Sequence, residues 1–181
     1  YMQEMIPLFK QGDIRETGIR SDVALVNGNL PINPETNKPG SLFFAVQNAN
    51  DDVRYTRNGN FTVDPTGYLT TNEGFFVLDE DGNRIQVNSD QFEVTADGRV
   101  QLAGGTQTRL GIAYSENPMN LIKEGNGLYR TNDGAELPNA TANPEVSYTL
   151  KQGFLEGSNV DVTQAMTEMM TAYRTFEANQ K

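Results

Sequence analysis

The chain has 181 residues and contains no cysteine, no histidine and no tryptophan. Without cysteine there is no disulfide framework and no thiol nucleophile. Without histidine the commonest general base, the commonest metal ligand and any Ser-His-Asp triad are gone together. Without tryptophan a sugar-stacking face is weakened. Basic residues are scarce: Lys and Arg number 14 against 24 Asp and Glu, a net charge of −10. That balance argues against nucleic acid and against an anionic membrane as partners. No apolar run approaches the ~18 residues of a membrane-spanning helix, so no membrane insertion is expected. No glycine-rich phosphate loop precedes a helical pattern. Carboxylates are plentiful enough for a glycosidase pair, but no pair stands out by spacing. No segment repeats at a fixed period and no run of like charge marks a disordered tail. The expectation is a protein without catalytic role, cofactor or metal.

What is present is a dense alternation of short apolar segments and turns. Residues 55–82 read as a meander. Asn58-Gly59, Asp64-Pro65-Thr66-Gly67, Asn72-Glu73-Gly74 and Asp79–Gly82 are turns, and the residues between them form strands of three or four residues. Asp79-Glu80-Asp81-Gly82-Asn83 has its glycine too early for a calcium loop and no bidentate Glu at the end, so it reads as an ordinary Asp-Gly turn. Ile85, Val87, Phe92, Val94, Val100 and Leu102 mark one face at period two. Residues 23–26 and 41–46 are further buried-strand candidates. The segment between Leu30 and Ser41, rich in Pro and Asn, reads as a surface loop, and residues 119–123 as a turn of helix. Strands this short must pack together to be stable. The fold class expected is therefore mainly β, a compact antiparallel β-domain over residues 22–151, preceded by a lead-in over residues 1–21.

Residues 152–181 differ. Val162, Met166, Met169, Tyr173 and Phe176 follow steps of four, three, four and three, the a/d spacing of a coiled-coil seam on one helix face. Asp161 with Gln164 fits a capping box, and Asn159 is a competing N-cap. Three of the six methionines fall in this segment and Met2 and Met5 at the other end, which suits an adaptable apolar contact. The chain does not open on methionine and the helical pattern still runs at Lys181, so both ends are expected to continue in a longer protein. Little in the remaining sequence could cover the seam, which makes it a candidate assembly surface.

Two stretches resemble the bacterial flagellar rod and hook-basal body protein family. The first is carried by Tyr55, Thr56, Arg57, Gly59, Phe61 and Gly67, continuing through Tyr68, Leu69, Thr70, Gly74, Val77, Leu78 and Gly82. The second is carried by Gln152, Gly153, Leu155, Glu156, Ser158, Asn159 and Val160, followed by Arg174, Phe176, Glu177 and Asn179. The resemblance implies an N-terminal helix, absent from this sequence, that pairs with the C-terminal one, and a structural subunit of distal-rod type. It implies a homo-oligomer within the assembled rod, other rod and hook subunits as partners, and a basal-body location outside the cytoplasm, reached by flagellar export without a cleaved signal peptide. Relative to the family pattern, the segment from Leu30 to Ser41 resembles an insertion. The alternative from the residues themselves is a cell-wall glycan-binding module, since Tyr and Phe alternate with polar residues.

Overall fold

A computed structural model describes residues 11–157 other than 90, 103, 104 and 106. The C-terminal helix expected from the sequence lies outside the described residues. Within them the chain forms seventeen short strands and three single 3-10 turns. Every strand pairing is antiparallel. The mainly β, antiparallel class is the one the turn spacing predicts.

The largest sheet is built on β5 (Ser41–Gln47). Its sequence, SLFFAVQ, is an almost unbroken apolar run, the pattern of a strand covered on both faces. Leu42, Phe44 and Val46 enter the main core, while Phe43 packs on the other side with Tyr55, Ala113 and Tyr129. Along one edge β5 pairs with β6 (Val53–Thr56). Along the other it pairs first with β13 (Ile112–Ser115) and then with β9 (Phe76–Val77). From β9 the sheet continues through β8 (Leu69–Thr71) to β7 (Phe61–Val63); from β6 it continues through β15 (Tyr129–Arg130) to β14 (Ile122–Lys123).

Three of the four expected turns lie where the sequence places them; Asn58-Gly59 is instead a crossing between β6 and β7, which do not pair. Asp64 Oδ1 accepts the amides of Thr66 and Tyr68 at 3.0 and 2.8 Å, and the Tyr68 amide is the main influence holding this carboxyl below its ordinary range. Asp79 Oδ1 accepts the amides of Asp81 and Asn83, both at 2.9 Å, so its carboxylate is engaged by its own turn. Of the period-two set, Ile85, Val87, Phe92, Val94 and Val100 are buried in the main core and Leu102 packs at its margin. Only part of that region forms ladders: β10 (Glu93–Val94), β11 (Arg99–Gln101) and β12 (Gln107–Arg109) make a three-stranded sheet, whereas Arg84 and Gln86 make isolated bridges.

Two local expectations need correction. The segment from Leu30 to Ser41 is not featureless loop but carries a small hairpin, β3 (Ile32–Asn33) and β4 (Lys38–Pro39), closed by the Asn37 amide on the Asn33 carbonyl at 2.7 Å. Asn37 sits at φ 59, a conformation asparagine tolerates. Of residues 119–123 only Met119 and Asn120 belong to a helical turn. A 3-10 turn at Pro118–Asn120 runs directly into β14, and Pro118 supplies its pre-set φ at the first position.

The two ends of the described chain close the domain. β2 (Val23–Asn27) pairs over five residues with β16 (Tyr148–Gln152), and β1 (Ile14–Glu16) pairs with β17 (Phe154–Glu156). Val23, Leu25 and Leu150 join the main core.

Phe44, fully buried and edge-to-face with Phe61 at 5.0 Å, is at the centre of this core. Phe44→Ala should lower unfolding free energy by about 3–5 kcal/mol in urea titration. Ile32→Ala, on the exposed hairpin, should change it by less than about 0.5 kcal/mol.

Candidate assembly junction

β16 and β17 are one strand bent at Gly153, whose φ of +85° is cheap only for glycine. The bend takes the strand away from β2 and onto β1. Its amide donates to the Asp22 carbonyl at 2.7 Å, and its carbonyl accepts the amides of Thr17 and Gly18 at 2.8 and 3.1 Å. Beyond it the Gly157 amide donates to the Asp13 carbonyl at 2.7 Å. The described ends therefore lie side by side and antiparallel.

Arg57 joins this ribbon to the body. Its Nε donates to Glu156 Oε1 at 2.8 Å, its Nη1 to the Leu42 carbonyl at 2.8 Å, and its Nη2 to the Leu25 carbonyl and Asn27 Oδ1, each at 2.8 Å. One guanidinium thus ties β5, β2 and β17 together. The two charged side chains are only 7% and 4% exposed. Burial pulls the Arg57 pKa down, and the charge and hydrogen bond of Glu156 push it back up. The other Glu156 oxygen accepts the Gly12 amide at 2.8 Å and the Gln11 side-chain amide. Gln11 Oε1 in turn accepts the Asn27 amide at 2.6 Å. The incoming and outgoing segments share one carboxylate.

Gln152 adds a second staple. Its Oε1 accepts the Val94 amide at 3.0 Å, and its Nε2 donates to the carbonyls of Arg20 and Phe92 at 2.7 and 3.0 Å. Gly59 lies so close to β2 that a Cβ there would stand 1.7 Å from the Val23 carbonyl oxygen. The turn after Arg57 has to be glycine for that contact.

The motif residues thus divide. Arg57, Gln152, Gly153, Leu155 and Glu156 come together at the junction, with Gly59 beside them. Tyr55, Thr56 and Phe61 are buried behind it. The Tyr55 hydroxyl accepts the Leu137 amide at 2.8 Å, and burial raises its pKa against that bond. Gly67 serves a separate turn, its carbonyl accepting the amides of Val87 and Asn88. Ser158, Asn159 and Val160 lie outside the described residues, as do Val162, Met166, Met169, Tyr173 and Phe176. Sequence reasoning did not single out Gln11, Asn27 or the pairing of Arg57 with Glu156. Partners 99 residues apart leave no spacing signal. The only cue is a charged residue in each otherwise apolar or turn-forming stretch.

Among the described residues, the polar side chains named at the junction bond to one another and to backbone groups. Among the described residues no group of three Asp, Glu, His or Cys is placed to hold a metal. Phe43, Phe44, Phe61 and Phe92 are wholly buried, so they form no platform for a glycan.

Comparison with known proteins agrees with this division. The family described as Flagellar hook protein FlgE/F/G D1 domain matches residues 39–102, and that described as Flagellar basal body rod FlgEFG protein C-terminal matches residues 151–181. The chain belongs to the flagellar rod and hook-basal body protein family. It is 44% identical over its whole length to the flagellar hook-basal body complex protein FlhO of Bacillus subtilis, covering 66% of that protein. It is 38% identical to the B. subtilis flagellar basal-body rod protein FlgG, over 78% of the chain and 57% of the relative. It is 32% identical to FlgF of Caulobacter vibrioides, over 94% and 62%. The chain therefore spans about two thirds or less of these relatives. In this flagellar chain Arg57 falls in the first matched segment and Glu156 in the second, so their ion pair joins the two.

Glu156→Ala should cost about 3–5 kcal/mol of stability in chemical denaturation, because it strands a buried guanidinium. The double variant Arg57→Met with Glu156→Leu should recover only part of that loss. The Leu42 carbonyl would then lose its Arg57 donor, at about 1–3 kcal/mol, while the Leu25 carbonyl keeps the Gln11 side-chain amide at 3.3 Å.

Proposed function

We propose that this chain is a structural subunit of the bacterial flagellar rod and hook-basal body, of distal-rod type. It assembles with copies of itself and with other rod and hook subunits into the tubular axial structure. In this reading residues 22–151 are the β-rich domain that packs laterally. Residues 1–21 lead in from an N-terminal helix, and residues 152–181 carry the assembly helix with its seam. The protein acts outside the cytoplasm in the basal body, without catalysis. The observation that carries the reading is the junction: the segments entering and leaving the β-domain lie adjacent and antiparallel, the arrangement two pairing terminal helices need. The distal-rod assignment rests on family resemblance, since a complete β-domain without a large inserted outer domain suits that position. No observation favours the glycan-binding alternative.

The test is complementation in the source bacterium. Deleting the gene should abolish swimming and halt assembly at or before the hook, and the intact gene should restore both. Met169→Asp with Phe176→Asp should fail to restore assembly while the purified variant keeps its β-sheet circular dichroism. Normal filaments in the deletion strain would overturn the rod reading; loss of β-sheet signal in the double variant would overturn the separation of seam from domain.

A further inference from the structure

The last described strands join β1, β2, the segment around β10 and the buried Arg57. β16 is the ladder partner of β2, pairing Gln152 with Val23 through to Tyr148 with Asn27. β17 is the ladder partner of β1. The Leu150 side chain enters the main core, and its amide donates to the Ala96 carbonyl at 2.9 Å. The Gln152 side chain satisfies the Val94 amide and the Phe92 carbonyl. Glu156 neutralises Arg57, the buried cation that also holds Leu42 and Leu25.

Consider the same chain before these strands are in place. The hairpins of the large sheet are local in sequence and can begin to pair. β2, however, has lost its five-residue ladder partner, and among the described backbone pairings only the Val23 amide on the Gly59 carbonyl, at 3.0 Å, still ties the strand to the body. Arg57 would be buried without a counter-charge, which is among the costliest arrangements a protein interior can hold. The polar backbone of the segment carrying Val94 and Ala96 would be unsatisfied. Closing the domain needs contacts between residues 11–27 and residues 148–157, which form late because the intervening chain must be ordered first.

We infer that residues 148–157 are the closing element of the domain: the chain that precedes them does not hold the fold, and the protein stays open until they arrive. This inference depends on the topology alone and holds whether or not the chain is a rod subunit.

The experiment compares urea unfolding of the full chain with chains ending after Gly157 and after Ser147. The first two should share one sigmoidal transition and one midpoint. The third should lose the transition and its hydrogen-exchange protection, and an added peptide of residues 145–157 should restore both. In the full chain, pulse-labelled refolding should protect the amides of β5 no earlier than those of β2 and β16. A cooperative transition in the chain ending at Ser147, its loss in the chain ending at Gly157, or early protection of β5 would each overturn the inference.

Discussion

A single buried guanidinium holds this domain to its own ends. Arg57 donates to backbone carbonyls of β5 and β2 and to a carboxylate on β17, so three elements far apart in sequence share one cation. Buried ion pairs add little net stability when well-packed apolar residues could replace them. This one does what apolar contact cannot, because its donors are directional. It fixes where β17 leaves the body, and through the second oxygen of Glu156 it fixes where the incoming segment at Gln11 and Gly12 arrives.

The rest of the architecture makes that fixing possible. β5 is apolar on both faces and so can serve as the inner strand of the large sheet, with a main core on one side and a smaller aromatic cluster on the other. The glycine after Arg57 lets the following turn lie against β2, and the bend at Gly153 redirects the final strand from β2 to β1. The ion pair and the bend aim the terminal segments as well as attach them. In this chain the aiming falls to one ion pair, one side-chain amide at Gln152 and one glycine bend.

Much of the fold was readable from the residues. Turn chemistry at Asp64–Gly67 and Asn72–Gly74 placed the meander, and the period-two series from Ile85 to Leu102 named core residues before any geometry. The hairpin of Ile32–Pro39 was not readable, since two-residue strands in a Pro- and Asn-rich segment have no periodicity. The strand β14 after the 3-10 turn at Pro118 was missed for the same reason. The junction was half readable: its residues lie in the motif stretches, but periodicity reports which face is buried, not which charged residues meet across the chain. Gln11 carries no pattern at all, and only the three-dimensional arrangement gives it a role.

Bonded across the junction, the two described ends belong to the cooperative core of the domain and are not frayed tails. Native-state hydrogen exchange on the intact protein tests it most directly, through the amides of Gly12 and Gly157, which bond across the junction to Glu156 and Asp13. They should exchange with the same opening free energy as the amides of β5, through global unfolding. Exchange of Gly12 and Gly157 at rates near those of an unfolded chain, while β5 stays protected, would contradict the claim.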